Sequence, residues 1–145
     1  MQMTLLFFAL VALLQGCSYA ISPANADRAD KATTFVMLRA EPDLYKGKIL
    51  ILGGTIVEFI NLKQGSLITV DQKPLDFWGK PTRTSRTGGR FLIYYSRAVD
   101  SLTYSSGREL TVAGEVAGTS LKALGDKEYD YPILISRELK LWPRE

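Results

Sequence analysis

Residues 49 to 60 read ILILGGTIVEFI, and this stretch decides the fold that the sequence predicts. Its branched and aliphatic side chains are typical of a β-strand, and it is longer than most strands, which run to roughly 3 to 10 residues. Two glycines, Gly53 and Gly54, interrupt it, and glycine inside a strand favours a bulge or a sharp bend. We therefore predict a long strand that curves around a small barrel.

Four further runs with β-type patterning follow the first. They lie at roughly residues 65 to 72, 89 to 96, 107 to 118 and 129 to 142. The run that begins at residue 107 is the clearest, because apolar side chains alternate with polar or small ones, as in a sheet with one buried face. Closing a five-stranded sheet removes its exposed edges. We therefore predict a mainly β fold, a five-stranded OB-like barrel, with an open sandwich as the alternative.

Two different segments precede the first strand. Residues 18 to 34, SYAISPANADRADKATT, are small, polar and charged, and predict a flexible tether. The next segment predicts a short helix that Pro42 would break and Gly47 would end. Its apolar face would consist of Phe35, Val36, Leu38, Leu44 and Tyr45. Residues 35 to 145 are expected to form one domain, because the chain is long enough for one core and not for two.

The beginning of the chain carries an export signal. Residues 5 to 14 read LLFFALVALL, and the first charged side chain is Asp27. This run is too short to span a bilayer, which takes roughly 18 to 20 apolar residues, but it has the length of a signal-peptide core. Residues 1 to 16 are therefore predicted to be a signal peptide.

Cys17, the only cysteine of the chain, directly follows the predicted signal peptide. Leu14-Gln15-Gly16-Cys17 resembles the lipobox of bacterial lipoprotein signal peptidase. The resemblance implies cleavage before Cys17, a covalent lipid on Cys17 as the first residue, and handling by the lipoprotein export machinery. Ser18 stands where Asp would retain a lipoprotein at the inner membrane, so the outer membrane is favoured. The alternative is a free thiol with ordinary cleavage near Ala20.

Composition excludes several classes of site. The 18 Lys and Arg against 15 Asp and Glu give a net charge of +3, which does not imply a nucleic-acid partner. Without histidine, and without cysteine after Cys17, the chain has no residues for Ser-His-Asp or Cys-His catalysis, His-ligated metals or internal disulfides. Carboxylate pairs such as Asp76 with Asp100 or Asp126 with Glu128 remain, as do Ser-Lys combinations, but turn chemistry explains the acids equally well. We therefore expect no enzyme, no metal and no cofactor beyond the lipid.

The long loop between the second and third runs, KPLDFWGKPTRTSRTGGR, contains the candidate ligand surface. It places Phe77 and Trp78 among basic residues, which are Lys80, Arg83, Arg86 and Arg90. Aromatic stacking beside cations is how OB-like surfaces bind sugars or single strands. The favoured interpretation is simpler, with Phe77 or Trp78 closing one end of the barrel and the Lys and Arg side chains solvated. The last run could also leave an open edge for an envelope protein partner.

Six segments in this order resemble the Slp family of outer-membrane lipoproteins, the starvation-inducible group. They are EPDLYKGKILILGGTIVEFIN at 41 to 61, KPLDFWGKP at 73 to 81, GGRFLIYYS at 88 to 96, GRELTVAGEVAG at 107 to 118, YDYPILI at 129 to 135 and LKLW at 139 to 142. One departure is the turn at residues 97 to 101, RAVDS, which lacks the proline common in that family.

The resemblance implies a periplasm-facing lipoprotein in the outer membrane of a Gram-negative bacterium, linked to stationary-phase or envelope stress. It supplies no catalytic residue. We therefore expect a non-enzymatic scaffold or binding module that contacts the outer membrane through its acyl anchor. The alternative function is an OB-like domain that binds a glycan, an anionic lipid or lipopolysaccharide through Trp78 and its basic neighbours.

Overall fold

The computed structural model describes residues 19 to 144. Within them lie two short helices, a 3₁₀ turn at Pro42–Tyr45, five strands, and a second 3₁₀ turn at Lys122–Leu124. The helices are α1 (Pro23–Arg28) and α2 (Phe35–Ala40). The strands are β1 (Ile49–Asn61), β2 (Ser66–Gln72), β3 (Arg90–Tyr95), β4 (Glu109–Gly118) and β5 (Ile133–Leu141). No helix in this part of the chain has the length and apolar character needed to cross a bilayer.

The five strands form a closed barrel in the order β1-β2-β3-β5-β4. Neighbouring strands are antiparallel except β3 and β5, which pair in parallel. The predicted mainly β fold with a five-stranded OB-like barrel is confirmed, and closure excludes the open sandwich. The last strand β5 pairs with β4 along its length and with β3 only at residues 133 to 135.

The long strand β1 changes partners at its glycines. Residues 49 to 55 pair with β4, and residues 54 to 61 pair with β2. A side chain on Gly54 would collide with the backbone carbonyl of Asp71 on β2, so the strands can approach only because this residue has none. The register shift lies slightly further on, between Ile56 and Glu58. The predicted bend and the bulge are therefore two neighbouring features.

The inside of the barrel is filled by aliphatic side chains and Phe91. One end is closed by α2, whose Phe35 and Leu38 are buried, with the Phe35 ring centroid 6.0 Å from that of Phe91. The helix ends at Ala40, since the residue before a proline is disfavoured in helical conformation and Pro42 follows. Val36 is exposed, as is Leu44, so neither belongs to the predicted apolar face.

The interpretation that Phe77 or Trp78 closes one end of the barrel is wrong. Both side chains are exposed, Phe77 by 76 % and Trp78 by 43 %, and α2 occupies the barrel end. Their loop instead folds back over the outer wall, where Leu75 pairs with Pro81 and both approach Gly53 of β1. Because Gly53 has no side chain, Leu75 and Pro81 can pack directly on the backbone of β1.

The predicted flexible tether also requires correction, for residues 19 to 34. Ala20 and Ile21 are buried against the outer wall of the barrel, beside Ile51, Ala113 and Trp142. The apolar area of these two side chains leaves water only when the segment lies on the wall. Residues 17 and 18, the remainder of that segment, lie outside the described residues.

Candidate functional site

Three exposed aromatic rings form a cluster on the outer wall, next to the seam between β1 and β4. The ring centroids of Tyr19 and Phe77 are 5.5 Å apart, those of Tyr19 and Trp78 5.3 Å, and those of Phe77 and Trp78 5.3 Å. These separations are typical of aromatic pairs in contact. We call Tyr19, Phe77 and Trp78 the aromatic cluster.

A tight turn displays two of these rings. The Oδ1 atom of Asp76 accepts hydrogen bonds from the backbone N–H of Trp78 (2.9 Å) and of Lys80 (3.0 Å). Gly79, with φ of +82°, donates its N–H to the Asp76 carbonyl at 2.9 Å. An aspartate that binds the N–H two residues on and a glycine at positive φ are characteristic of such turns. The exposed aromatics are therefore held by a structured turn.

Hydrogen bonds attach this turn to the barrel wall. The buried Thr111 hydroxyl on β4 donates to the Gly79 carbonyl, and it accepts from the indole Nε1 of Trp142 at 3.0 Å. Ala20 donates its backbone N–H to the Trp78 carbonyl at 3.0 Å. The N-terminal segment and the loop therefore bind each other as well as the barrel, which brings Tyr19 to the other two rings.

Two carboxylates hold the N-terminal segment in place, one of them Glu138 on β5. Glu138 accepts from the backbone N–H of Ser22 (3.0 Å), from its hydroxyl (2.7 Å) and from the Asn25 side chain (2.9 Å). Desolvation opposes the charged form of Glu138, but the hydrogen bonds from Asn25 and Ser22 outweigh it, and its pKa lies below the ordinary value.

Asp30 makes the second attachment. Its carboxylate lies 2.9 Å from the Lys48 ammonium and accepts from the N–H of Ala32 at 2.8 Å, while its backbone N–H donates to the Ile49 carbonyl at 2.8 Å. Lys48 and these backbone donors hold the pKa of Asp30 well below its usual range. Residues 19 to 34, with these contacts, are called the N-terminal clasp.

Between the clasp and the loop lies a groove of about 440 Å³. Apolar side chains make up most of its lining, and its charged side chains are Asp27, Lys31 and Asp76. The aromatic cluster forms one rim. Such a groove, open to solvent and mostly apolar, suits an amphipathic partner better than a small anion.

The structure does not gather the predicted basic residues around this groove, since Arg83, Arg86 and Arg90 are absent from its lining. Arg90 pairs with Asp71 on β2 at 3.0 Å, and that carboxylate raises the pKa of Arg90. Arg83 lines a separate groove. Lys80 lies nearer, with its ammonium 5.7 Å from the centroid of the Trp142 ring. Of the six predicted residues, the groove therefore brings together only Phe77 and Trp78.

Most of the acids considered for catalysis make hydrogen bonds within turns or to a neighbouring hydroxyl. Asp100 accepts from the N–H of Thr103 at 2.7 Å, and the Thr103 hydrogen bonds hold its pKa below the ordinary value. Asp126, with φ of +59°, follows Gly125 in a turn, and Glu128 accepts from the Thr119 hydroxyl at 2.7 Å. Residues 19 to 144 contain no group of three or more acidic, His or Cys side chains that could hold a metal ion.

Sequence reasoning missed Tyr19, Ala20 and Ile21. Their signal is weak, because one aromatic and two small or branched apolar residues stand among polar ones. These three residues form an apolar group at the start of the polar segment, two residues after Cys17. That position is the signal that could have indicated a segment docked on the barrel. Its partners on the wall come from β1, β4 and the loop, which are distant in the sequence.

Fold and surface together define a small β-barrel module with a docked N-terminal segment and an exposed aromatic cluster. A model of the outer membrane lipoprotein Slp family matches residues 14 to 145, and the chain belongs to that family. The resemblance that the sequence suggested is thereby confirmed, and membership supports an outer-membrane location.

Two relatives are similar over nearly the whole chain. One is the outer membrane protein Slp of Escherichia coli, which is 27 % identical over 140 residues, covering 94 % of this chain and 73 % of the relative. The other is an uncharacterized protein of Haemophilus influenzae, 28 % identical over 144 residues, covering 97 % of this chain and 76 % of that protein. No solved structure matches the chain.

Proposed function

We propose that the protein is a lipid-anchored scaffold or binding module on the periplasmic side of the outer membrane, attached through acyl chains on Cys17. The observation that carries the proposal is that the family match begins at Leu14, so it includes the tetrapeptide Leu14-Gln15-Gly16-Cys17. Several acyl chains on one residue make an anchor that does not readily dissociate, whereas a single chain binds only marginally.

We propose further that the module acts without catalysis. The barrel interior is packed with apolar side chains, Asp100 caps a turn, and Glu128 accepts from the exposed Thr119 hydroxyl. A binding or scaffold role uses the outer wall instead, where the clasp and the loop build the groove. An association with stationary-phase or envelope stress, which the family resemblance implies, belongs to the same proposal. Immunoblots should then show more protein in stationary than in exponential phase, and a constant level would contradict this part.

The anchor is tested by replacing the cysteine. In Cys17→Ser we expect the protein to leave the outer-membrane fraction and to lose incorporation of radiolabelled fatty acid, because no thiol remains to be acylated. Ser18→Ala is the matched control and should keep both properties. Processed Cys17→Ser protein that stays in the outer membrane, or wild type that never takes up the label, would disprove the anchor.

Ser18→Asp tests the destination separately from the anchor. It keeps the acylated cysteine but introduces the residue that retains lipoproteins at the inner membrane. We expect label incorporation equal to wild type and a shift of the protein to the inner-membrane fraction. Labelled Ser18→Asp protein in the outer membrane would show that this position does not direct sorting here.

A further inference from the structure

The aromatic cluster has no role in the core of the barrel. Tyr19 is 58 % exposed and Phe77 is 76 % exposed, although side chains of this size are usually buried where a protein can bury them. The turn at Asp76 and Gly79 holds the rings in a defined position rather than leaving them on a mobile tip. A rigid, exposed group of contiguous aromatics marks a surface that meets another phase or molecule.

The position of the cluster in the chain indicates which partner it meets. Tyr19 is the second residue after Cys17, and two residues of fully extended chain span at most about 7 Å. An acyl anchor on Cys17 therefore keeps the Tyr19 backbone within about 7 Å of the anchored residue, and the other two ring centroids lie 5.3 to 5.5 Å from that of Tyr19. The N-H of Ala20 bonds to the loop at Trp78, so the barrel wall cannot move away from the membrane without breaking the clasp.

The chemistry of the surface fits a bilayer interface. Tyrosine and tryptophan are enriched at the headgroup level, where one part of the ring is in hydrocarbon and the polar atom is in water. Two ammonium groups lie on the same wall, where Lys80 and Lys140 are 5.7 and 5.3 Å from the ring centroid of Trp142, which packs against Ala20 and Ile21 of the clasp. Lipid phosphates attract such cations.

We propose that Tyr19, Phe77 and Trp78 insert into the headgroup region of the bilayer that holds Cys17 and seat the barrel directly on the membrane in one orientation. This inference rests on the proposed anchor. Acylation alone would attach the chain at one point and leave the barrel free to rotate. The aromatic cluster supplies a second contact, which fixes the seam of β1 and β4 toward the membrane and turns β3 away from it.

The experiment measures the depth of Trp78 in a bilayer. Full-length protein carrying Trp142→Phe is purified from outer membranes and placed in vesicles of phosphatidylethanolamine and phosphatidylglycerol. A fraction of the lipid carries bromine near the headgroup, which quenches nearby indole fluorescence. We expect Trp78 to be quenched, because its ring would lie at that level.

The matched control places the only tryptophan on the opposite wall. Ala123 is exposed on the 3₁₀ turn Lys122–Leu124, which covers the outer face of β3, two strands away from both β1 and β4. The control protein carries Ala123→Trp with Trp78→Phe and Trp142→Phe. Quenching of Trp78 should exceed that of the control by at least about twofold, because an indole at the membrane interface lies close to the brominated lipid and an indole facing solvent does not. Equal quenching would overturn the proposal.

A second variant tests the cluster itself. Tyr19→Ser with Phe77→Ser in the Trp142→Phe protein should lower the quenching of Trp78 to the level of the Ala123→Trp control, with an unchanged circular dichroism spectrum, since both side chains are exposed. Undiminished quenching would show that the anchor alone positions Trp78, and would overturn the role of the cluster.

The mass of the Cys17 peptide, taken from the same samples, separates this inference from the proposed anchor. Acylated Cys17 with unquenched Trp78 overturns the seating and leaves the anchor standing. Quenched Trp78 on protein without an acyl group supports the seating and contradicts the anchor. Crosslinks between the clusters of two copies, with Trp78 unquenched, would assign the surface to self-association instead.

Discussion

At the scale of single residues, two carboxylates decide where the N-terminal segment lies. Glu138 and Asp30 each bind backbone donors of a segment that local propensity alone would leave unordered. Both have pKa values below the ordinary ones, which are 4.5 for Glu138 and 3.8 for Asp30. A lowered pKa in the folded state means that the ionised group binds the native structure more strongly than the neutral one.

The pH dependence of the clasp follows from the sign of these shifts. Because the folded pKa values are lowered, their contribution to stability is complete above the unfolded values and is lost as pH falls, from about pH 5 downward. Protection of the Ser22 and Ala32 amides should therefore fall between pH 5 and pH 3, so that their exchange slows less than base-catalysed exchange chemistry alone predicts.

The matched variant for this prediction is Asp30→Asn with Glu138→Gln. It should show faster exchange already at pH 7 and little further loss of protection in acid. Glu58→Gln removes an exposed carboxylate from β1 and serves as the control for charge alone. A steep acid loss of protection in the double variant would show that other groups control the clasp.

At the scale of elements, β1 determines the barrel because one strand serves two pairings. Its first half pairs with β4 and its second half with β2, and the change occurs at Gly54 and Thr55, which pair with both. Gly54 approaches the Asp71 carbonyl too closely for any side chain. The bend therefore depends on the lack of a Cβ atom, not on the positive φ that other glycines of the chain adopt.

Gly54→Ala should consequently be severely destabilising. The added methyl group would clash with backbone atoms of β2, which cannot change rotamer as a side chain can. We therefore expect the free energy of unfolding to fall by about 3 kcal/mol or more, the upper end of the usual cost of overpacking. Gly47→Ala is the control, since its φ is +86° but open space surrounds it. Its cost should be about 1 to 2 kcal/mol, the usual left-handed penalty. Urea denaturation measures both, and equal losses would contradict the steric explanation.

At the scale of the whole molecule, the clasp and the loop make one wall of the barrel different from the others. The clasp begins at Tyr19, in the aromatic cluster, and leads to Phe35 of α2, which packs on Phe91 at the closed end of the barrel. Ile21 holds it to the wall by burial, being 5 % exposed. The clasp therefore fixes the position of Tyr19 on the barrel, and the anchor proposed at Cys17 would be held next to it.

Ile21→Asp should release the clasp while leaving the barrel folded. Burial of an isoleucine contributes about 1.5 to 3 kcal/mol, and a buried unpaired carboxylate would cost more, so the docked state should lose at least about tenfold in population. Limited trypsin digestion should then cleave faster at Arg28 and Lys31. Val36→Asp, at a position that is 73 % exposed, is the control. Unchanged cleavage in Ile21→Asp would show that hydrogen bonds alone hold the segment.

The sequence by itself determined the strands, the barrel and the family, because alternation along residues 107 to 118 and the glycine pair in β1 are local signals of pairing and bending. It also indicated the break of α2 before Pro42. Tertiary structure alone decided which side chains are buried at the ends and on the wall: Phe35 and Leu38 close the barrel, while Phe77 and Trp78 lie outside. Nothing local distinguishes an aromatic that closes a barrel from one that faces solvent, since the difference is the space left by neighbours distant in sequence. The docking of the clasp also depends on residues distant in sequence. Ala20 and Ile21 can be buried only on the surface that β1, β4 and Trp142 form together.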